Sequence, residues 1–191
     1  MNLPAMMMET PEAVYTRLMA TRRGHPIEDA LARILASWYL GRGAMPRWLG
    51  MGETEFLAMM AHHFPGTDAY SLVTARNRMD PHRSDELDDL RKLLCDNRSG
   101  RTDSERWMVE IVIAGCMGSD HLWQDLGLWQ RADLSKLMLE NFEPLALRNS
   151  KDMKWKKFLY KQLCEAEGIY VCRSPSCEVC ADYDNCFGSE E

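Results

Sequence analysis

The chain has 191 residues, 46% of them hydrophobic, with a formal net charge of −6 and a pI near 5.4. That length suits one domain, or one domain with a small appendage, and the apolar share is enough to bury a proper core. The acidic balance speaks against a nucleic-acid binder, and no apolar run approaches the length that spans a bilayer.

Residues 1–8 are expected to be disordered. They hold four of the fourteen methionines and no basic stretch leading into an apolar one, which predicts a cytoplasmic protein rather than an exported one. Thr10-Pro11-Glu12 is a helix start, with a hydroxyl cap, proline at the first position and an acid in the first turn. Gly24 ends that helix. His25-Pro26 opens a second, in which Ile27, Ala30, Leu31, Ile34, Leu35 and Trp38 form a core-facing stripe stopped at Gly41. The glycine-rich segment Gly41–Gly52, with Pro46, reads as a loop. Glu53 begins a third helix with Phe56, Leu57, Met60, Ala61 and Phe64 on one face, closed by Pro65-Gly66. His62 and His63 stand at its end. Neighbouring helical residues point in directions about 100° apart and rarely share an ion, so the expected role of this pair is to meet the negative end of the helix dipole.

Residues 67–83, with Arg76, Arg78, His82 and Arg83, read as an irregular, solvated link. Ser84-Asp85-Glu86 starts a helix that turns Leu87, Leu90 and Leu94 inward, and Cys95 near its end is expected to be packed. Thr102-Asp103-Ser104-Glu105 is a capping box. The run Trp107–Ala114 that follows is apolar nearly all round, so it should be the buried central helix with Cys116 as its packed tail. Ser119-Asp120 should cap a short helix carrying His121, Trp123, Gln124 and Asp125, ended by Gly127. Asp133 should cap the next, with Leu134, Leu137, Met138 and Phe142 inward and Glu143-Pro144 as its end. A last helix should run from about Lys151 to Glu167, with Gly168 just beyond it. No stretch alternates at period two. The expected fold class is therefore all-α: an irregular helical bundle over residues 9–168, followed by a cysteine-rich segment over 169–191.

Four of the seven cysteines fall in that segment, as Cys172, Cys177, Cys180 and Cys186, at spacing C-x4-C-x2-C-x5-C. Disulfides rank last among the explanations, because the count is odd and a cytosol keeps thiols reduced. Zinc competes, although zinc sites usually present two close pairs separated by a longer spacer. An iron–sulfur cluster ranks first: a compact, loop-rich run brings thiolates in from several directions, and its first three cysteines match a plant-type ferredoxin spacing. With no periodicity of its own, the segment should take its shape from the metal it binds. Phe187 could shield such a cluster, and Cys164 is read as a partly buried structural cysteine rather than a fifth thiolate.

The residues around the run narrow this further. Met153-Lys154-Trp155-Lys156-Lys157-Phe158-Leu159-Tyr160-Lys161-Gln162-Leu163-Cys164-Glu165 leads into it, Cys186-Phe187-Gly188 ends it, and His121-Leu122-Trp123-Gln124-Asp125-Leu126-Gly127-Leu128 stands upstream. Together, over about Gly118 to Gly188, these resemble the nitrogen-fixation protein NifQ family. The resemblance implies an iron–sulfur protein that processes molybdenum for the iron–molybdenum cofactor of nitrogenase. The cluster could carry molybdenum as well as iron. Its partners would be molybdate, the cofactor-assembly scaffold (NifEN) and the nitrogenase iron protein.

Two further features bear on that expectation. Lys154, Lys157 and Lys161 share one face of the last helix at i, i+3 and i+7, which is either an ordinary solvated face or an attractor for the molybdate dianion or an acidic partner. His121 either pairs with Asp125 or caps an element, or offers molybdenum a nitrogen donor. No nucleophilic triad, phosphate-binding glycine loop or dinucleotide fingerprint is present, so a metal donor is expected rather than a turnover catalyst. The rival readings are a helical interaction module with a structural zinc and a one-electron iron–sulfur carrier.

Overall fold

A computed structural model describes residues 9–73, 84–166, 168 and 183–188. Every regular element among them is helical, and no strand occurs among the described residues. Thr10 caps α1 (Pro11–Ala20), its hydroxyl accepting the Ala13 N–H at 3.3 Å. Val14 and Leu18 of α1 are fully buried against α2 (Glu28–Tyr39), whose Leu31, Ile34, Leu35 and Trp38 form the expected stripe.

The segment after α2 is more than a loop. Trp48 and Leu49 both take left-handed backbone angles, with φ of 59° and 51°. Such conformations cost an L-residue about 1–2 kcal/mol each. Full burial of Leu49, and the packing of Trp48 on Phe56 with ring centroids 5.4 Å apart, offset about as much. The turn lies against α5 (Glu105–Cys116) at Gly50, where a Cβ would stand 2.9 Å from that of Ala114. α5 is the central helix. Trp107, Met108, Val109 and the whole run Ile111–Cys116 are buried, and α4 (Ser84–Asp96) and α6 (Leu122–Asp125) pack on it.

Several boundaries differ from the sequence reading. In α3 (Glu53–His63), Met59 is fully buried and Ala61 exposed, so the inward face is rotated slightly toward Phe56, Met59 and Met60. In α4, Leu90 and Leu94 are fully buried, but Cys95 is exposed, because one residue past Leu94 the helix has turned 100° outward. Cys116 is buried as expected. α5 starts only at Glu105, which nevertheless makes its half of the capping box by accepting the Thr102 N–H at 3.3 Å. His121 itself, rather than Ser119 or Asp120, occupies the cap position of α6. α7 (Arg131–Asn141) begins before Asp133, whose carboxylate accepts the Trp129 N–H at 3.3 Å from inside the first turn. Glu143-Pro144 does not simply end α7. It starts α8 (Glu143–Arg148), since proline is tolerated in a first turn whose N–H groups have no helical partner.

α9 (Trp155–Ala166) also begins late. Asn149 holds the preceding turn by accepting the Met153 N–H and donating to the Met153 carbonyl, both at 2.9 Å. Trp155, Phe158 and Leu159 bury its inner face, and Gly168, at φ +71°, follows its end. α10 (Tyr183–Phe187) follows, with Cys186 and Phe187 packed on the core. The turn-rich link of 67–83 is described only to Val73, where Ala69–Leu72 form one 3₁₀ turn with Leu72 buried. Among the described residues no helix is long and apolar enough to cross a membrane.

Candidate metal centre

Of the four clustered cysteines, Cys186 falls within the described residues, while Cys172, Cys177 and Cys180 lie outside them. Cys186 is partly buried on α10 and takes part in no disulfide. Its carbonyl accepts the backbone N–H of Lys154 at 2.8 Å, and the Lys154 ammonium donates to the Asp184 carbonyl at 2.8 Å. Two bonds from one residue therefore fix the short helix to the start of α9. A five-residue helix has no stability of its own in water, so this fastening and the packing of Phe187 are what position the thiol. A soft donor held at a docked edge, still partly open to solvent, fits thiolate coordination of an iron–sulfur cluster or of zinc.

The lysines of α9, and Lys154 just before it, divide by environment. Lys154 is tied to α10, Lys157 is exposed, and Lys161 sits 3.6 Å from Glu165. Lys156 behaves differently from all three. It is largely buried, donates to the Gly118 carbonyl at 2.9 Å and makes an ion pair with Asp125, which is almost fully buried. The Asp120 N–H also donates to Asp125, at 3.0 Å. Gly118 lies so close to this carboxylate that any Cβ there would overlap it. Asp125 thus takes its charge partner from α9, across 31 residues of sequence. His121 begins α6, with its N–H donating to the Gln124 side chain at 3.2 Å. Of the readings offered for His121, the cap is the one seen, and the pair Asp125–Lys156 joins α6 to the helix that leads into the cysteine run. Residues of α6 also edge an open cleft of about 380 Å³, together with Arg42 and Trp129.

A second group of ligand-type side chains was not visible in the sequence as a group. His25, from the α1–α2 connection, lies beside His62 and His63 at the end of α3. Its ring stacks on His62 with centroids 5.1 Å apart and meets His63 edge-on at 5.4 Å. His63 is not a solvated partner for the helix dipole: it is fully buried, with Nδ1 3.2 Å from a carboxylate oxygen of the equally buried Glu28. Burial lowers the His63 imidazole below its ordinary pKa, against the opposing pull of Glu28, and the neighbouring histidines add to the lowering.

Comparison with known proteins decides the family. The NifQ family model matches residues 30–188. The chain belongs to the NifQ family. It is 45% identical over 170 residues to protein NifQ of Azotobacter vinelandii, a match covering 84% of this chain and 87% of that one. It is 31% identical over 167 residues to protein NifQ of Klebsiella pneumoniae, covering 85% and 99%. A NifQ homolog of Sinorhizobium fredii is 32% identical over 163 residues, covering 84% and 70%. No solved structure matches the chain. The NifQ match takes in the four clustered cysteines, the Lys154–Cys186 fastening, the Asp125–Lys156 pair, His62 and His63. α1 and His25 lie before it.

Proposed function

We propose that the chain serves nitrogen fixation by taking up molybdenum on an iron–sulfur centre and donating it for assembly of the iron–molybdenum cofactor of nitrogenase. Membership of the NifQ family supports the pathway. The observation that carries the site is Cys186, the last thiol of the run, held on docked α10 by the backbone and side chain of Lys154.

Cys172, Cys177, Cys180 and Cys186 are the proposed ligands, each losing its proton as it binds metal. An iron–sulfur cluster held by these thiolates would supply sulfide-rich coordination for molybdenum. The chain contributes position and charge. Cys186 is fixed in advance by α10, so fewer thiols have to be ordered when the cluster forms. Lys154, fastened to α10, and exposed Lys157 one turn on draw in the molybdate dianion. His121, fixed at the head of α6, is the proposed nitrogen donor to the incoming molybdenum. The metal leaves with an acceptor, the cofactor-assembly scaffold (NifEN) together with the nitrogenase iron protein, and the chain acts as a carrier rather than a turnover catalyst.

The test is growth on dinitrogen across a molybdate series, with matched expression of each variant, alongside iron, sulfide, molybdenum and zinc analysis of anaerobically isolated protein. Iron with acid-labile sulfide in the wild type, and poor growth of the Cys177→Ala strain when molybdate is scarce, are expected. Ample molybdate should rescue that strain. Exposed Cys95 is the control, and Cys95→Ala should grow as wild type. Equal growth of the two variants at limiting molybdate, or stoichiometric zinc without sulfide, rejects the proposal.

A further inference from the structure

We propose that His25, His62 and His63 form a second metal site, for a divalent transition-metal cation of the zinc class, distinct from the cysteine run. One nitrogen from each ring lies within 4.8 Å of those of the other two. His25 and His63 approach from segments 38 residues apart, so the cluster is a product of the fold and not of the adjacency of His62 and His63.

His63 has the geometry of a supported ligand. Its Nδ1 faces Glu28, whose carboxylate also accepts the backbone N–H groups of Arg23, Gly24 and His25 at 3.2, 2.7 and 3.0 Å. A carboxylate so surrounded acts as the acceptor, which assigns the proton to Nδ1 and leaves a lone pair on Nε2. That nitrogen is buried and has no hydrogen-bond partner. The other buried side-chain atoms in this condition, among the described residues, are the indole nitrogens of Trp38, Trp123, Trp129 and Trp155, which are donors and cannot ligate. An unmet buried acceptor is unfavourable, and a cation satisfies it. Carboxylate behind Nδ1 and metal at Nε2 is the arrangement that orients many metal-bound histidines.

The donor set selects the ion. Three imidazoles suit zinc and its first-row neighbours, and a single carboxylate behind them matches a dication better than an anion. Tetrahedral ligands about 2.05 Å from zinc stand roughly 3.3 Å apart, so the rings need to close by up to about 1.5 Å. Exposed His62 and half-exposed His25 can turn to do this while buried His63 stays fixed. Trp107 covers one side, its ring 5.6 Å from both His62 and His63, and the exposure of His62 leaves a fourth position for water.

The test uses the whole chain as isolated anaerobically, with its cysteines carrying whatever metal they hold. Each protein is equilibrated with Zn²⁺, freed of weakly bound ion and analysed. Wild type should retain one zinc more than His62→Ala or His25→Ala, with affinity at that site reduced by more than about 100-fold in each variant. X-ray absorption should show the additional zinc with nitrogen or oxygen at about 2.0–2.1 Å and no sulfur near 2.3 Å. Cys177→Ala should keep it. Because His63→Ala opens the core and could fail to fold, the two less buried histidines carry the test, with circular dichroism confirming their helices. Equal zinc in wild type and both folded variants, or a sulfur shell around the ion that differs, overturns the proposal.

Discussion

The backbone N–H of Lys154 donates to the carbonyl of Cys186 at 2.8 Å, so the residue that opens α9 also holds the last thiol of the cysteine run. α10 is therefore fastened to the start of α9, a contact between two points 32 residues apart in the chain. Closing a loop before metal arrives removes part of the ordering entropy that binding otherwise has to overcome. Lys154→Met keeps the backbone bond but deletes the one from the ammonium to Asp184, worth about 1 kcal/mol. Iron loss to a chelator should quicken about fivefold, while the thermal midpoint of the helical part barely moves. An unchanged rate of loss would show that α10 does not control the site.

Removing the proposed cluster should leave the bundle standing. The core runs from Val14 to Leu159 and draws on every helix from α1 to α9. Far-ultraviolet circular dichroism of metal-free protein should keep most of its helical signal, with the proteolytic cleavage that metal loss adds falling after Gly168. Collapse of the helical signal on chelation is the contrary outcome.

Asp125 and Lys156 make a strong prediction because their pair is largely out of water. Lys156→Met strands the aspartate and should cost about 3–5 kcal/mol in denaturant unfolding. Adding Asp125→Asn removes the stranded charge, so the double variant should be destabilised by clearly less than the two single losses combined. Gly118→Ala should also destabilise, through the clash of its Cβ with the Asp125 carboxylate. Strict additivity of Lys156→Met and Asp125→Asn would refute the pairing.

Asp29 carries the pH dependence. Burial raises its pKa, but the Tyr15 hydroxyl at 2.8 Å, Arg33 and Lys136 outweigh that and hold it below the ordinary aspartate value. A lowered folded-state pKa contributes stability above the unfolded value, about 3.9, and loses it as the pH falls through the folded one. Asp29→Asn should therefore cost about 1–2 kcal/mol at pH 7. The gap between it and wild type should shrink below about pH 4 as both sites become neutral. Urea midpoints measured from pH 7 down to 3 give the comparison, and a gap constant across that range contradicts it.

The two cysteines outside the run that differ most in environment should differ in cost. Cys116→Ala opens a small hole at the buried end of α5 and should lose about 1–2 kcal/mol. Cys95→Ala, at an exposed position, should stay within about 0.5 kcal/mol of wild type. Thermal melts of the two proteins check both.

What could be read from the chain follows how local each signal is. α5 is legible because an apolar run of that length has one stable home, the centre of the bundle. α8 is not, because Glu143-Pro144 carries the same local signature as a stop and as a start, and only the burial of Leu145 tells them apart. The phase error at Cys95 arises in the last turn of α4, where one residue decides between core and solvent. At the candidate site, the cysteine spacing is a sequence property and can be read directly. The histidine cluster and the Asp125–Lys156 pair cannot, since each joins segments whose separation along the chain says nothing about their distance in space.

Glu28 and Glu105 are near-twins: each is buried and turned back to collect the N–H groups of the residues three, four and five places before it. Toward the preceding segment both brackets grip main-chain N–H groups, so they demand a backbone path there, while Glu28 also holds His63 and the Arg101 side chain pairs with Glu143. Both connections are therefore natural points for grafting, and the stretch before one glutamate could stand in for the stretch before the other. Such an exchange would carry His25 away from His62 and His63 while leaving α2 its anchor, separating the architecture of that corner from its chemistry.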